Sequence, residues 1–113
     1  MEARATLRYS RQSPFKVRKV LNAVRGSNVG TAISYLHFSS EKASLAIEKT
    51  IKSAVGNLMQ NDEASDIDPD LIKIKEAYVN QGPVMKRFRA ATMGRASKLR
   101  RPTSHLTIIL TTE

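Results

Sequence analysis

Apolar and polar residues alternate with a period of two near both ends of the chain. Residues 2–10 predict a half-buried strand with an apolar inner face and a cationic outer face. Its inward residues are Ala3, Ala5, Leu7 and Tyr9. Residues 106–112 predict a second strand, with Leu106, Ile108 and Leu110 inward and Ile109 exposed.

A third predicted strand, over residues 71–80, does not keep a single phase. Ile72 and Ile74 alternate with lysines, but Tyr78 and Val79 fall on opposite faces. The pattern therefore leaves the inward residues of this strand unassigned.

Three amphipathic helices with a period of 3.6 residues lie between these strands. The first begins with Ser13 as N-cap and Pro14 at the first helical position, and it ends at Gly26. The second covers residues 29–37 with Asn28 as its cap. The third runs from a cap at Ser39 or Ser40 to about Met59. Its alanines and a glycine predict close packing; the positions concerned are Ala43, Ala46, Ala54 and Gly56.

Together these elements predict an α+β fold of three helices packed on a small three-stranded antiparallel sheet, with a long protruding basic β-hairpin. At 113 residues the chain is expected to form a single domain, residues 1–113. The order of the strands is not readable from the sequence.

Charge is concentrated at the two ends of the chain. Nineteen Lys and Arg against ten Asp and Glu give a net charge of +9. Residues 1–26 carry seven basic residues and one acidic residue, and residues 81–113 carry the same numbers. The middle of the chain has a small acidic excess. Charge kept only for solubility has no reason to segregate in this way, so the distribution predicts a polyanionic partner, that is, nucleic acid.

The C-terminal basic segment predicts the hairpin, at about residues 82–104, which we call the arm. It opens with Gly82-Pro83, closes near Pro102 and holds seven basic and no acidic residues. About ten residues lead to its tip, so an extended arm reaches ~30 Å. Such a charged segment is expected to be disordered until a polyanion orders it. Gly94 is expected to supply a positive φ at the tip. Phe88 and Met93 either stack on bases or, in the case of Phe88, pack on the opposite strand.

Other classes of protein fit the sequence poorly. The absence of cysteine excludes disulfides and thiolate metal sites. No apolar run reaches the ~20 residues of a membrane span, and no signal peptide is evident. The acidic residues 61–70 lack the spacing of a calcium loop and predict an exposed loop facing away from the polyanion. His37 and His105 have no evident acid partner in the sequence, so structural roles are favoured over catalysis. An architectural DNA-binding protein is an alternative, although such arms carry a proline wedge that Ala90 and Ala91 do not supply.

Five segments together carry a specific resemblance. They are SPFKVRKVLNAVRG, KTIKSAVGN, YVNQGPVMKR, GRAS and RPTSHLTIIL. Over essentially all 113 residues the chain resembles the bacterial-type family of large-subunit ribosomal protein twenty-two. The resemblance implies a structural constituent of the large ribosomal subunit, located in the cytoplasmic ribosome, with an organellar ribosome as the alternative. Such a protein has no catalytic activity, cofactor, metal or small-molecule substrate, and it is not bound to a membrane.

The resemblance also implies partners and site residues. The partners are large-subunit rRNA, neighbouring ribosomal proteins and, at the tip of the arm, the nascent polypeptide in the exit tunnel. The candidate rRNA-binding residues in the first segment are Arg4, Arg8, Arg11, Ser13, Lys16, Arg18, Lys19 and Arg25. In the last segment they are Lys86, Arg87, Arg89, Arg95, Lys98, Arg100, Arg101, Ser104 and His105. The candidate tunnel-lining residues are Ala90, Ala91, Thr92, Met93 and Gly94.

The tip of the arm departs from the family pattern. Many bacterial members have P-R-A-x-G-R where this chain has Ala90 to Arg95. The Pro and Arg positions are both Ala here, while the pair Gly94-Arg95 is kept. The departure affects the expected geometry and charge of the tip and leaves the expected fold unchanged.

Overall fold

The structure is a computed structural model that describes residues 2–60, 71–90 and 96–112, with the backbone alone for residues 85–90 and 96–101. Its strands are β1 (Glu2–Ser10), β2 (Lys73–Gln81), β3 (Met85–Ala90), β4 (Ala96–Arg101) and β5 (Ser104–Thr111). Its helices are α1 (Pro14–Val24), α2 (Val29–Phe38) and α3 (Lys42–Met59).

The sheet has three antiparallel strands in the order β1-β5-β2. Helix α3 packs against β1 and β5, α1 packs against β2, and α2 packs against α3. These six elements are called the body below. This arrangement confirms the predicted α+β class with three helices on a three-stranded sheet. It also supplies the strand order, with the C-terminal strand in the centre.

The core lies between the helices and one face of the sheet. Side chains that are almost completely buried come from every helix and from the central strand, namely Leu21, Leu36, Ile47, Ile51, Leu58, Leu106, Ile108 and Leu110. Burying an aliphatic side chain of this size contributes roughly 1.5–3 kcal/mol. Most are the positions at which the apolar periodicity of the sequence predicts an inward side chain.

A β-bulge explains why the third predicted strand has no single phase. In β2, Ile74 pairs with Leu110 and Glu76 pairs with Ile109, so Lys75 is an extra residue. An extra residue reverses which positions point inward. Ile74 is therefore buried before the bulge, and Ala77 and Val79 are buried after it. The strand begins at Lys73 and ends at Gln81.

Two predictions about individual side chains are wrong, one about orientation and one about exposure. Tyr9 is not inward but 63% exposed, because a second irregularity interrupts β1 between Leu7 and Ser10. Ile109 is not exposed but half-buried, because β5 is the central strand and has a neighbour on each side. Both errors arise where the position of a residue depends on its partner strands.

The helix ends agree in part with the sequence patterns. Asn28 caps α2, since its Oδ1 accepts a hydrogen bond from the Thr31 N–H at 2.8 Å. Gly26 follows the C-cap Arg25 with φ +81°, a conformation that favours glycine. Ser13 occupies the N-cap position of α1, but its side chain makes no capping hydrogen bond.

The predicted cap of α3 at Ser39 or Ser40 is wrong. Helix α2 runs through Phe38, which makes Ser39 its C-cap, and Glu41 is the N-cap of α3. The Ser39 hydroxyl instead accepts a hydrogen bond from the Glu41 N–H in the connection between the helices. Gly56 does not mark close packing either, because a Cβ built there meets no atom within 4 Å.

Strands β3 and β4 pair with each other in a separate antiparallel hairpin, from Met85 opposite Arg101 to Ala90 opposite Ala96. The chain measures 64 × 24 × 16 Å, and its radius of gyration is 17.2 Å. A compact domain of this length has a radius of gyration of about 13 Å, so the molecule is elongated.

Several sequence predictions fall outside the described residues. They concern the acidic loop at residues 61–70, the tip at 91–95 with the φ of Gly94, and the side chains of Phe88 and Met93. Among the described residues, no helix is both long and apolar enough to cross a bilayer.

Candidate RNA-binding surface

Two arginines, Arg18 of α1 and its C-cap residue Arg25, attach this helix to an open edge of the sheet. The Arg18 guanidinium donates a hydrogen bond to the carbonyl oxygen of Val79 at 2.8 Å, and that of Arg25 donates to Ala77 at 2.9 Å. Strand β2 is an edge strand, so these carbonyls have no neighbouring strand on that side. A guanidinium has five N–H donors, and both residues remain exposed. Each arginine can therefore stabilise the fold and still donate to a phosphate.

The exposed side of α1 carries two lysines and an aromatic ring besides these arginines. Lys16 is exposed, and Lys19 is exposed at 3.7 Å from the Glu41 carboxylate. A pair at this distance on the surface is weak and leaves the Lys19 ammonium available. Phe15 is 79% exposed, and the guanidinium of Arg18 lies 5.9 Å from the centroid of its ring. The helix thus displays cations and an aromatic side chain together.

The second basic group lies on the face of the sheet opposite the core. Arg4 and Arg8 of β1 alternate with the inward residues of the strand and are exposed. Arg11, which follows the strand, is exposed as well. Tyr78 of β2, which is 37% exposed, projects from the same face through its pairing with Thr107. This face combines cations with an aromatic residue, which is the combination that single-stranded RNA favours.

The arm joins the body at a tightly packed root, which we define as Gly82, Pro83 and Thr103. The Gly82 N–H donates to the Thr103 carbonyl at 2.9 Å, and the buried Thr103 hydroxyl donates to the Pro83 carbonyl. A Cβ at Gly82 would lie 2.5 Å from Thr103 Oγ1. The root therefore requires glycine at position 82 and holds the two ends of the arm together.

Beyond the root, the basic positions of the arm lie on paired strands. Lys86 is opposite Arg100, and Lys98 is opposite Phe88. Arg87 and Arg89 lie on β3, and Arg101 ends β4. Arg95 and the tip residues 91–94 are outside the described residues. The pairing brings the basic positions of both strands to the same part of the arm, where the density of positive charge is high.

The three predicted contacts that are not basic occupy different environments. Ser13 is half-buried at the start of α1, and His105 is half-buried with its Nδ1 accepting a hydrogen bond from the Tyr9 N–H. Ser104 is completely buried, and its hydroxyl makes no hydrogen bond. Because it has no accessible surface, we leave Ser104 out of the interface proposed below.

Sequence reasoning missed the exposed aromatic residues. Tyr9 was assigned to the core because it continues the alternation of β1, and Phe15 belongs to no pattern that predicts exposure. The basic residues that flank Tyr9 and Phe15 in the sequence are the one signal that could have indicated that these aromatic side chains are exposed.

The described residues contain no arrangement typical of catalysis. His37 does have an acid partner, contrary to expectation: its Nδ1 lies 3.6 Å from a carboxylate oxygen of Glu48, which also pairs with Lys52 at 3.2 Å. A groove of about 400 Å³ between β1 and α3 is lined by apolar side chains, hydroxyls, Gln12 and lysines, without His, Asp or Glu. No group of three or more potential metal ligands occurs in the part of the chain that the structure describes.

Comparison with known proteins identifies the family. Residues 5–111 match the family described as "Ribosomal protein L22p/L17e". A protein of Geobacter metallireducens named "Large ribosomal subunit protein uL22" is 46% identical over 110 residues, which cover 97% of each chain. Proteins of the same name from Staphylococcus haemolyticus and Magnetococcus marinus are 44% and 43% identical. The first alignment covers 97% of this chain and 92% of the relative, and the second covers 95% and 92%. The chain therefore belongs to the ribosomal protein L22p/L17e family.

Proposed function

We propose that the chain binds large-subunit rRNA through three basic surfaces, which are α1, the outer face of β1 and the arm, and thereby supports assembly of the subunit. The observation that carries this proposal is the segregation of charge. The exposed cations of residues 4–25 lie in the N-terminal segment, the arm carries seven more, and residues 27–80 between these segments have a small acidic excess. An rRNA-binding domain comprising residues 1–113 is consistent with this distribution.

Family membership makes the chain a structural constituent of the large ribosomal subunit and not an enzyme. Its partners are accordingly rRNA and other ribosomal proteins. What we add is the assignment of roles to its surfaces: the body and the base of the arm bind rRNA, and the tip of the arm lines the exit tunnel and meets the nascent polypeptide.

The salt dependence of RNA binding tests the electrostatic part of this proposal. If about half of the basic residues in the two terminal segments meet phosphate, roughly seven counterions are released. The log–log slope of affinity against salt is then about −5. A slope shallower than about −2 in a filter-binding titration with large-subunit rRNA would contradict the proposal.

A matched pair of variants tests the location of the contacts. Lys16→Ala/Lys19→Ala and Lys49→Ala/Lys52→Ala each remove two lysines three residues apart, one of which is paired with a glutamate. We expect the first variant to flatten the slope by about 1.4, that is, about 0.7 per lost contact, and the second to leave it unchanged. Equal slopes for the two variants would show that α1 is not part of the interface. Circular dichroism checks that both variants are folded.

The role of the tip is tested by deleting residues 90–93. The tip is ~30 Å from the body by the extended-strand estimate, so its loss removes no packing from the body. We expect near-normal yields of large subunits with a changed response of translation to a macrolide. A deletion that abolishes assembly would contradict the assignment of the tip to the tunnel.

A further inference from the structure

The end of β1 adopts an unusual backbone conformation at Tyr9. In the part of the chain that the structure describes, Tyr9 is the one residue other than glycine with a positive φ, at +57°. This left-handed conformation costs free energy for a residue with a large side chain. It occurs at the irregularity between Leu7 and Ser10, where the strand has an extra residue opposite His105. The strain therefore has a definite position, at the end of the sheet from which the arm emerges.

His105 holds both the backbone and the ring of Tyr9. The Tyr9 N–H donates a hydrogen bond to His105 Nδ1 at 3.0 Å, which satisfies a group that the irregular pairing leaves without a strand partner. The two rings meet edge to face, with centroids 4.8 Å apart and planes at 88°. A single residue from the central strand thus determines the direction of the Tyr9 ring.

Burial does not explain why the chain adopts this conformation. The Tyr9 residue is 63% exposed, so it removes little apolar surface from water. The strained backbone instead directs an oriented aromatic ring into solvent. Strain and exposure at one residue are typical of positions that bind a ligand.

The surroundings of the ring indicate the chemistry of that ligand. Arg8 precedes it, Arg11 follows it, and both are exposed. Asn80 pairs with His105, so the arm root lies directly beyond. An exposed aromatic ring with exposed arginines one and two residues away in the chain matches a nucleotide, whose base stacks on the ring while its phosphates meet guanidinium groups. An apolar peptide would gain nothing from these charges.

We propose that Tyr9 is a stacking platform for an unpaired base of RNA, with His105 as the positioning residue that orients its ring. The inference rests on the proposed rRNA binding and adds a contact that depends on stacking and not on charge.

Substitutions of Tyr9 test the platform, with Tyr35→Ala as the control because Tyr35 is a similarly exposed tyrosine on α2 (51%). Tyr9→Ala is expected to weaken binding to a large-subunit rRNA transcript by roughly 5- to 150-fold, the range found for removal of a base-stacking aromatic residue. Tyr9→Phe is expected to bind like the unchanged protein. The salt slope is expected to remain steep in both, because no cation is removed.

Tyr9→Gly separates binding from stability. Glycine adopts a positive φ without strain, so we expect its Tm to be at or above that of Tyr9→Ala while its affinity is equally low. If Tyr9 had a merely structural role, affinity would follow Tm instead. For His105→Ala we expect a smaller loss than for Tyr9→Ala, and no further loss when the two are combined. Additive losses would show that His105 does not act through Tyr9.

The outcome that overturns the inference differs from the one that overturns rRNA binding. If Tyr9→Ala binds as tightly as Tyr35→Ala while the salt slope stays near −5, the chain binds RNA and Tyr9 is not a platform. A shallow slope would instead contradict RNA binding itself. A photoreactive phenylalanine at position 9 provides a second readout in intact large subunits, where cross-links to rRNA are expected. Cross-links to protein alone would likewise overturn the inference.

Discussion

The body and the arm of this protein are organised by opposite physical principles. The body buries aliphatic side chains from three helices against one face of a sheet, and its exposed cations sit on a fold that is already complete. The arm is a two-stranded hairpin with seven basic residues and no acidic one. A two-stranded hairpin alone is marginally stable at best in water, and like charges add repulsion. The body is thus stabilised from within, whereas we expect the arm to depend on a polyanionic partner for its stability.

The largest expected effect comes from removing the positive charge at the base of the arm. Replacing the five basic residues there by alanine is expected to prevent incorporation into the large subunit while leaving the Tm of the free protein almost unchanged; they are Lys86, Arg87, Lys98, Arg100 and Arg101. Ile51→Ala is the counterpart in the body. It is expected to lower the free energy of unfolding by about 2–5 kcal/mol, since Ile51 is completely buried.

Thermal unfolding and the yield of assembled subunits measure the two effects. A large fall in Tm on removal of the five charges would show that the arm helps to stabilise the folded protein, which would contradict the division into a self-stabilised body and a dependent arm.

Hydrogen exchange is expected to show the same division in the unchanged protein. Amides of α3 should exchange slowly, because opening this helix exposes the core. Amides of β3 and β4 should exchange orders of magnitude faster in the free protein and become protected in the assembled subunit. Equal protection of α3 and the arm strands in the isolated protein would show that the arm is as stable as the body.

Substitution of glycine by alanine is expected to have opposite effects on stability at two positions, one in the body and one at the arm root. Gly56 lies inside α3 and has open space around it, so Gly56→Ala is expected to stabilise the body by about 0.5–1 kcal/mol. Gly82 lies at the arm root, where a Cβ would be 2.5 Å from the buried Thr103 hydroxyl. Gly82→Ala is expected to destabilise by at least as much and to impair subunit assembly. Urea denaturation of both variants compares them directly, and a stabilising Gly82→Ala would contradict the described root.

The smallest expected effect concerns an ion pair across the sheet. The hydrogen bond that Lys75 donates to Glu2, followed by the charge of Lys75, lowers the pKa of the Glu2 carboxyl. A lowered pKa stabilises the folded protein at pH values above the ordinary pKa of glutamate. This stabilisation disappears as the pH falls through the pKa that Glu2 has in the folded protein. Glu2→Gln is therefore expected to reduce Tm slightly at pH 7 and not at low pH.

Glu76→Gln, an exposed change of equal charge on β2, serves as the control for that experiment. A Tm difference between Glu2→Gln and the unchanged protein that does not depend on pH would show that the pair is not its cause.

The existence and type of the body elements could be predicted because they depend on local periodicity. In α3, the apolar residues at positions 43, 47, 51, 54 and 58 recur with the period of the helix, and all are buried. Likewise Leu106, Ile108 and Leu110 alternate as one face of a strand requires. The distribution of charge along the chain is likewise readable from the sequence, so a nucleic-acid partner could be predicted before the fold was known.

Only the tertiary structure decided the features that depend on a partner segment. The bulge at Lys75 and the exposed ring of Tyr9 result from pairing with β5, which lies far away in sequence. Arg18 and Arg25 were predicted as phosphate ligands, but their attachment to β2 could not be read from α1. The alternation along a strand shows which residues share a face, but only up to an extra residue, after which the inward and outward positions are exchanged. Where that reversal occurs is determined by the register of two strands, because hydrogen bonds between them, and not the local sequence, fix the alignment.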